Sequence, residues 1–229
     1  MNILAFDSAT PILSIALSSA EGTFYFEADA GLRHSELLLE EARRLIDKAG
    51  IAAADIALLA CMGGPGSFTG LRIGFAAAKG MAFGLEKPFV SVPTLDCMAF
   101  PHAAWPGAVL PLIDAKKKRF FGAVYREGKN ASPCLDGEIP AFLSLLLPGE
   151  PVLLTGPDAG LFMEALSGYP EQDGYRFVMD RNCRRGHAGH LLELAQKKYI
   201  LQNSGDRIDA GPAYLRKSDA ELILEESGG

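Results

Sequence analysis

Residues 63–74 read GGPGSFTGLRIG and follow an apolar run from Ile56 to Cys61. The run is typical of a buried strand, and a helix is predicted after the glycines, from about Thr69 to Gly84. The segment lacks the Lys-Ser/Thr pair of a P-loop, and Thr69 stands where a dinucleotide fingerprint starting at Gly64 needs its last glycine. Nucleotide hydrolysis at this loop is therefore not expected.

Apolar runs and alternating apolar residues predict the rest of the first half. Its elements are strands 3–6, 13–17 and 24–26, a helix from Ser35 to Ala49, strand 56–61, the helix after the glycine loop, and strand 89–92. Ser35 is the expected N-cap of the first helix, because its hydroxyl can accept a bond from a free backbone N–H. The order is β-β-β-α-β-α-β.

The second half repeats this order more loosely. It is predicted as strands 109–113 and 120–126 around a basic tip at 115–119, helix 139–147, strand 152–155, helix 158–166, strand 175–179 and helix 189–200. The proline-bounded stretch 101–106 is the expected boundary, which gives domains 1–105 and 106–229. The C-terminal segment could pack back on the first domain, and residues 225–229 are expected to be frayed.

Small residues recur four apart in the helix after the glycine loop, in the rows Gly70, Gly74, Ala78 and Ala76, Gly80, Gly84. Such rows let another backbone come close, either the protein's own sheet or a partner helix. Both interpretations stay open. Arg72, Ile73 and Phe75 lie in the first turns and could face outward toward a partner.

The chain has 229 residues and a formal net charge of −6, which argues against binding nucleic acid through a global basic field. No apolar run approaches the length of a membrane span, and a strand starting at Ile3 leaves no room for a signal peptide. The four cysteines are far apart and are expected to be free thiols in a reducing compartment. A cytoplasmic location without membrane association is therefore predicted.

Several segments together carry a family resemblance that spans nearly the whole chain. They are ILAFDSAT (3–10), HSELLLEEARRLI (34–46), GGPGSFTGLRIGFAAAKGMAFG (63–84), PLIDAKKKRFFGAVY (111–125) and PAYLRKSDAE (212–221). The chain closely resembles the TsaB (YeaZ) family of bacterial tRNA threonylcarbamoyladenosine biosynthesis proteins. The resemblance implies an α/β fold of the actin-like ATPase (ASKHA) type, with two RNase H-like halves, mixed sheets and a reduced second half.

The resemblance also implies a function and partners. TsaB proteins work in the threonylcarbamoylation of the adenosine next to the tRNA anticodon, where TsaD transfers the acyl group and TsaE supplies an ATPase activity. The chain is thus expected to be a non-catalytic partner of TsaD that also works with TsaE. A homodimer is possible in isolation, and tRNA is contacted only through the complex.

TsaD and TsaB are paralogues, and residues 90–100 distinguish them. TsaD carries an H-x-x-x-H metal-binding pair here, whereas this chain has Thr94 and Met98 at those positions. A hydroxyl and a thioether cannot replace two imidazoles for a hard or borderline divalent ion. No metal and no acyl transfer are therefore expected.

The nucleotide site of the resembled fold is also reduced. DSAT keeps Asp7, Ser8 and Thr10, but Ala9 replaces the expected glycine, and the segment around Asp114 has no glycine. Asp7 is either a structural turn residue or, with Ser8 and Thr10, a remnant nucleotide contact. No cofactor is expected for the isolated chain, and ATP or ADP would bind only in the complex.

The resemblance places the partner interface on the two helices of the first half. Carried over by position, it comprises Arg33, His34, Ser35, Leu38, Arg72, Ile73 and Phe75. The glycine loop would then set the position of the second of these helices.

The remaining signals are weaker. His187 and His190 have the i, i+3 spacing of a metal pair, but no third ligand is evident and a solvated helix end is favoured. Basic groups at 116–119 and at 181–185 are expected on the surface, where they could contact tRNA phosphates. The rival function is an actin-like ATPase or small-molecule kinase with its own nucleotide site, which tight Mg-ATP binding by the isolated chain would indicate.

Overall fold

The computed structural model describes residues 1–170 and 174–215. Its first sheet has five strands in the order β3-β2-β1-β4-β5, which are β1 (Ile3–Asp7), β2 (Ile12–Ser19), β3 (Gly22–Asp29), β4 (Leu58–Met62) and β5 (Phe89–Val92). Helices α1 (His34–Lys48) and α2 (Phe68–Leu85) connect β3 to β4 and β4 to β5. The predicted order β-β-β-α-β-α-β is confirmed. β4 pairs in parallel with both β1 and β5, whereas β2 pairs antiparallel with both β1 and β3.

The first sheet is buried on both faces because its central strands are apolar on both sides. Leu4 and Phe6 pack in the cluster beneath α1 and α2. Ile3 and Ala5 point to the opposite face, into a second cluster. This alternation follows from the two-residue period of a strand.

The predicted N-cap of α1 is wrong. The helix begins at His34, Arg33 is the cap residue, and no side chain caps it. Ser35 lies inside the first turn, where its hydroxyl is past the capping position. The N-terminus of α2 is capped instead, because the Ser67 hydroxyl accepts a bond from the Gly70 N–H.

Most strands of the second sheet are shorter than those of the first. Its path runs β10-β7-β6-β11-β12, and β8 pairs with β6 and β9. The strands are β6 (Ala108–Lys116), β7 (Arg119–Gly122), β8 (Tyr125–Arg126), β9 (Lys129–Asn130), β10 (Leu135–Gly137), β11 (Pro151–Thr155) and β12 (Arg176–Met179). Helices α4 (Ile139–Leu143) and α5 (Ala159–Leu166) cover one face. The predicted hairpin is present, but its second strand ends at Gly122 and α4 is shorter than expected.

Helix α3 (Thr94–Ala99) was not predicted, and it lies between the two sheets. Cys97 belongs to the apolar cluster of the first sheet, whereas Leu95 and Met98 pack in a cluster with strands of the second. α3 therefore contributes to both cores.

The last described helix, α6 (Ala188–Gln202), leaves the second sheet and packs on the free face of the first. Residues 203–215 then run along β5 as a C-terminal strap. The Asp206 carboxylate accepts bonds from the Ser91 N–H, the Ser91 hydroxyl and the Lys198 ammonium. Farther on, the Ala213 N–H donates to the Gly63 carbonyl in the glycine loop.

Residues 216–229 lie outside the described residues, and so do the predicted frayed tail at 225–229 and the end of the PAYLRKSDAE motif. Within the described residues, no helix is both long enough and apolar enough to cross a membrane.

Candidate functional site: the cleft between the sheets and the α1–α2 surface

A cleft of about 540 Å³ separates the two sheets. The turn after β1 and the start of α2 form one wall, and the β6–β7 hairpin with Asp158 forms the other. The strap closes one end with residues 213–215. Because β1 and β6 both end at this cleft, it occupies the position where open α/β sheets bind ligands.

Asp7 at the end of β1 is buried, and its carboxylate is hydrogen-bonded to other groups of the chain. Its carboxylate accepts bonds from the Ala9 N–H at 3.2 Å, the His187 N–H at 2.8 Å and the Ser14 hydroxyl at 3.4 Å. Burial raises the pKa of Asp7 to about 6, although the bonds from His187 and Ala9 act to lower it. Asp7 thus connects β1 to the first residues of α6.

The hydroxyl groups of Ser8 and Thr10 also form hydrogen bonds within the chain. Ser8 donates to the Gly70 carbonyl at 2.8 Å, and the Thr10 hydroxyl bonds to the backbone of Ile12. The α2 backbone approaches so closely that a Cβ added at Gly70 would lie 2.0 Å from the Ser8 carbonyl oxygen. The α2 backbone is thus in direct contact with the turn at Ser8.

These contacts correct the interpretation of Asp7 and Ser8 as nucleotide contacts. A magnesium-bound nucleotide needs a carboxylate with a free face, and that of Asp7 is 1% exposed with three donors on it. Thr10 borders the cleft, but its hydroxyl is bonded to Ile12. The residues of the first hairpin do not fit a magnesium nucleotide.

The β6–β7 hairpin on the opposite wall differs from the first hairpin because its tip is exposed. Lys116, Lys117 and Lys118 all have positive φ, between 55° and 63°. Asp114 accepts bonds from the Lys116 N–H and ammonium, each at 2.7 Å, and its own N–H donates to Asp158 at 2.8 Å. This basic tip is exposed, as predicted, although Lys116 is paired with Asp114.

The residues predicted for the partner surface divide by burial. Arg33, Ser35 and Arg72 are exposed, and Ile73 is half-buried. The assignments of His34, Leu38 and Phe75 to the surface are wrong, since all three are buried. Helical spacing turns Leu38 and Phe75 toward the sheet, where they join the cluster beneath the helices, and the His34 ring bonds to the Thr10 carbonyl.

Sequence reasoning missed the exposed apolar residues of this surface. Phe83 on α2 is 81% exposed, Leu39 on α1 is 55% exposed, and Leu32 before α1 is 99% exposed. Phe83 lies three residues after Gly80, so extending the outward row of small residues along α2 would have found it. We define the α1–α2 surface as these three residues with Arg72, Ala76 and Gly80.

The two rows of small residues on α2 have different roles. Gly70, Gly74 and Ala78 are buried, and Gly70 and Gly74 face Ser8 at the end of β1. In the other row, Gly80 and Gly84 are exposed, and a Cβ at either would meet no atom within 4 Å. The inner row packs on the protein's own sheet, and the outer row is open to an approaching backbone.

Arg72 connects the α1–α2 surface to the strap. Its guanidinium lies 3.8 Å from the centroid of the Phe68 ring, and its Nε donates to the Tyr214 hydroxyl at 3.2 Å. The Phe68 and Tyr214 rings are 4.7 Å apart. The first turn of α2 is thereby fixed against residues near the C-terminus.

The prediction of a solvated helix end at His187 and His190 is wrong. His187 is 1% exposed and precedes the first turn of α6, and His190 is half-buried. Their Nδ1 atoms lie 3.2 Å apart. Across residues 1–170 and 174–215, no group of three or more His, Cys, Asp or Glu side chains is placed to hold a metal ion. Thr94 and Met98, at the positions of the TsaD histidines, are both completely buried.

Two mixed α/β sheets that face each other across a cleft define the actin-like ATPase (ASKHA) class of fold. The family model described as TsaD, tRNA N6-adenosine threonylcarbamoyltransferase, matches residues 28–153, more than half of the chain. The chain belongs to this family and, within it, to the TsaB (YeaZ) proteins.

Individual relatives agree with this assignment. The tRNA threonylcarbamoyladenosine biosynthesis protein TsaB of Escherichia coli is 40% identical over 57% of each chain. TsaB of Bacillus subtilis is 27% identical over 99% of each chain. The solved structure of YeaZ from Pseudomonas aeruginosa is similar with a TM-score of 0.75 and 26% identity, covering 93% of this chain and all of that one.

Proposed function

We propose that this chain acts in the biosynthesis of threonylcarbamoyladenosine in tRNA, as a non-catalytic partner of a TsaD-type transferase. The observation that carries the proposal is the α1–α2 surface. It combines an outward row of small residues with Phe83, Leu39 and Leu32, all largely exposed. Exposed apolar groups beside an exposed row of small residues suit a partner helix.

The cleft supports a non-catalytic role. The Asp7 carboxylate is occupied by three internal donors, and the side chains of Thr94 and Met98 are completely buried. A nucleotide between the sheets would need groups from outside this chain. Binding of ATP or ADP in the assembled complex, recruitment of TsaE, homodimer formation in isolation and indirect contact with tRNA all belong to the proposal.

The partner surface can be tested with two variants of α2. Phe83→Asp places a charge on the most exposed aromatic side chain of α2, and Gly80→Leu fills the outer row with a bulky side chain. Both positions are exposed, so the fold should be retained. We expect each variant to weaken binding to the transferase about 100-fold, the range of an interface hot spot, in size-exclusion and calorimetric titrations.

Leu161→Asp is the matched control, since Leu161 is 46% exposed on α5 of the second half. It should bind as the unmodified chain does. Unchanged binding by both α2 variants would place the partner on another surface.

The pathway itself is tested by depleting the chain from its host and quantifying threonylcarbamoyladenosine in tRNA by mass spectrometry. Loss of the nucleoside, restored by this chain but not by Phe83→Asp, supports the proposal. Unchanged nucleoside levels together with tight Mg-ATP binding by the isolated chain would favour the ATPase or kinase function.

A further inference from the structure

Two chain segments cross between the sheets, and three of the four histidines lie on or beside them. Residues 100–107 lead from α3 to β6, and residues 180–187 lead from β12 to α6. His102 is on the first crossing. His187 ends the second, and His190 follows one turn later.

The two crossings are tied together through Asp180. The His102 Nε2 lies 3.1 Å from the Asp180 carboxylate, and the Thr155 hydroxyl at the end of β11 donates to the same oxygen at 2.9 Å. Arg185, on the second crossing, lies 3.8 Å from this carboxylate. Movement of either crossing would break these contacts.

The pair of ring nitrogens at the start of α6 has a geometry that depends on protonation. Two Nδ1 atoms 3.2 Å apart can bond only while one of them is bare and accepts the proton of the other. When both rings are protonated, the two N–H groups face each other and two charges meet beside Arg185. The His187 backbone N–H meanwhile binds Asp7, which fixes the pair against the end of β1.

We propose that His187 and His190 form an acid-sensitive latch that holds the second crossing segment and the start of α6, closed while the two rings are neutral and opened when they take up protons. The opened state hydrates the rings, which then accept protons that the closed state disfavours. Acid therefore shifts the equilibrium toward the opened state by linkage.

The surroundings of the rings support this assignment. Burial lowers the pKa of His187 to about 3 and also lowers the pKa values of His102 and His190. Arg185 acts in the same direction on all three, while Asp180 opposes the shift at His102 and His187, and Glu193 opposes it at His190. Asp7 binds the His187 N–H, and Lys197 lies over the ring of Phe100, which packs beside His190.

Hydrogen exchange of the full chain tests the latch, at about pH 7.5 and about pH 5, with rates corrected for the intrinsic pH dependence of exchange. Opening of residues 180–191 should rise about thirtyfold on release of His187, because a hydrated histidine titrates near 6.5 and the pKa of the buried ring is about 3. The strands of both sheets should not exchange faster, since protonation of Asp7 favours the folded chain. A rise that is equal in the sheets would mean general acid destabilisation and would overturn the latch.

His190→Gln is the decisive variant, because its amide can bond to the His187 ring but cannot gain a proton. It should weaken the acid response, because one titrating ring and its repulsion of His187 are removed. His34→Gln, at the histidine outside the cluster, should keep it. An unchanged response in His190→Gln would overturn the proposal and assign the effect to another group.

A second measurement does not depend on variants. Nitrogen chemical shifts of the rings in the unmodified chain should show His187 still neutral at about pH 6 and His190 titrating below its ordinary value. Titration of either ring at its ordinary value would contradict the latch.

Discussion

Two hairpins face each other across the cleft, and each follows a strand that leads into an aspartate. In the first, Asp7 is buried and bonded to Ala9, Ser14 and the start of α6. In the second, Asp114 holds the exposed Lys116 within a turn of three positive-φ lysines. The first hairpin has become part of the core, while the second remains a surface loop. A phosphate site between the sheets needs free polar groups from both hairpins, and in this chain the second hairpin alone could offer them.

The largest effect is expected where α2 packs against the turn of the first hairpin. Gly70→Ala would place a Cβ 2.0 Å from the Ser8 carbonyl oxygen, so the helix must move. We expect a loss of about 4 kcal/mol or more in the free energy of unfolding, measured by urea denaturation. The matched change Gly80→Ala adds a Cβ in open space on the same helix and should stabilise by about 0.8–1 kcal/mol. Similar effects at both glycines would contradict the asymmetry of the two rows.

A second test uses the charge of Asp7. Its pKa is raised to about 6 in the folded chain from 3.8, so the folded state binds a proton more tightly than the unfolded state. Its contribution to stability is therefore present below pH 3.8 and is lost as pH rises to about 6, with a total near 3 kcal/mol. Asp7→Asn should remove this dependence when stability is compared at a series of pH values. Asp114→Asn serves as the control at the second hairpin, and an identical pH profile for Asp7→Asn and the unmodified chain would refute the assignment.

The smallest effect is expected at the tip of the second hairpin. Lys117 and Lys118 form a two-residue turn with φ of 55° and 61°, a conformation that Asn-Gly adopts readily and lysine does not. The double change Lys117→Asn, Lys118→Gly should raise the melting temperature and stabilise by about 1 kcal/mol. Placing the same pair on the exposed turn at Ala20-Glu21 tests whether the gain depends on positive φ. Destabilisation at 117–118 would show that the lysine side chains contribute more than the turn strain costs.

The first half was predictable because its strands are apolar runs or alternate between apolar and polar residues, and α1 has an apolar face with helical spacing. The glycine loop, α2 and the flanking strands β4 and β5 followed directly from residues 56–92. The partner surface was predicted less well, since position alone could not tell that Leu38 and Phe75 turn inward or that Phe83 turns outward. That distinction depends on which face of each helix meets the sheet.

Other parts of the site could not be predicted from local pattern. α3 is six residues long and packs between two sheets, so its apolar side chains carry no single period. The contact of Asp7 with His187 joins residues 180 positions apart, and nothing near either residue indicates it. His187 consequently looked like a solvated helix end although it is buried.

The placement of α6 and the strap has a consequence for the order of synthesis. Residues 188–213 cover a face of the first sheet whose strands were made at the start of the chain, and Ile3 and Ala5 are among the groups they bury. A growing chain on the ribosome therefore carries an incomplete first half, with an uncovered apolar face, until residues 188–213 emerge. Folding of the first half is in this sense a late event, although its strands are translated first.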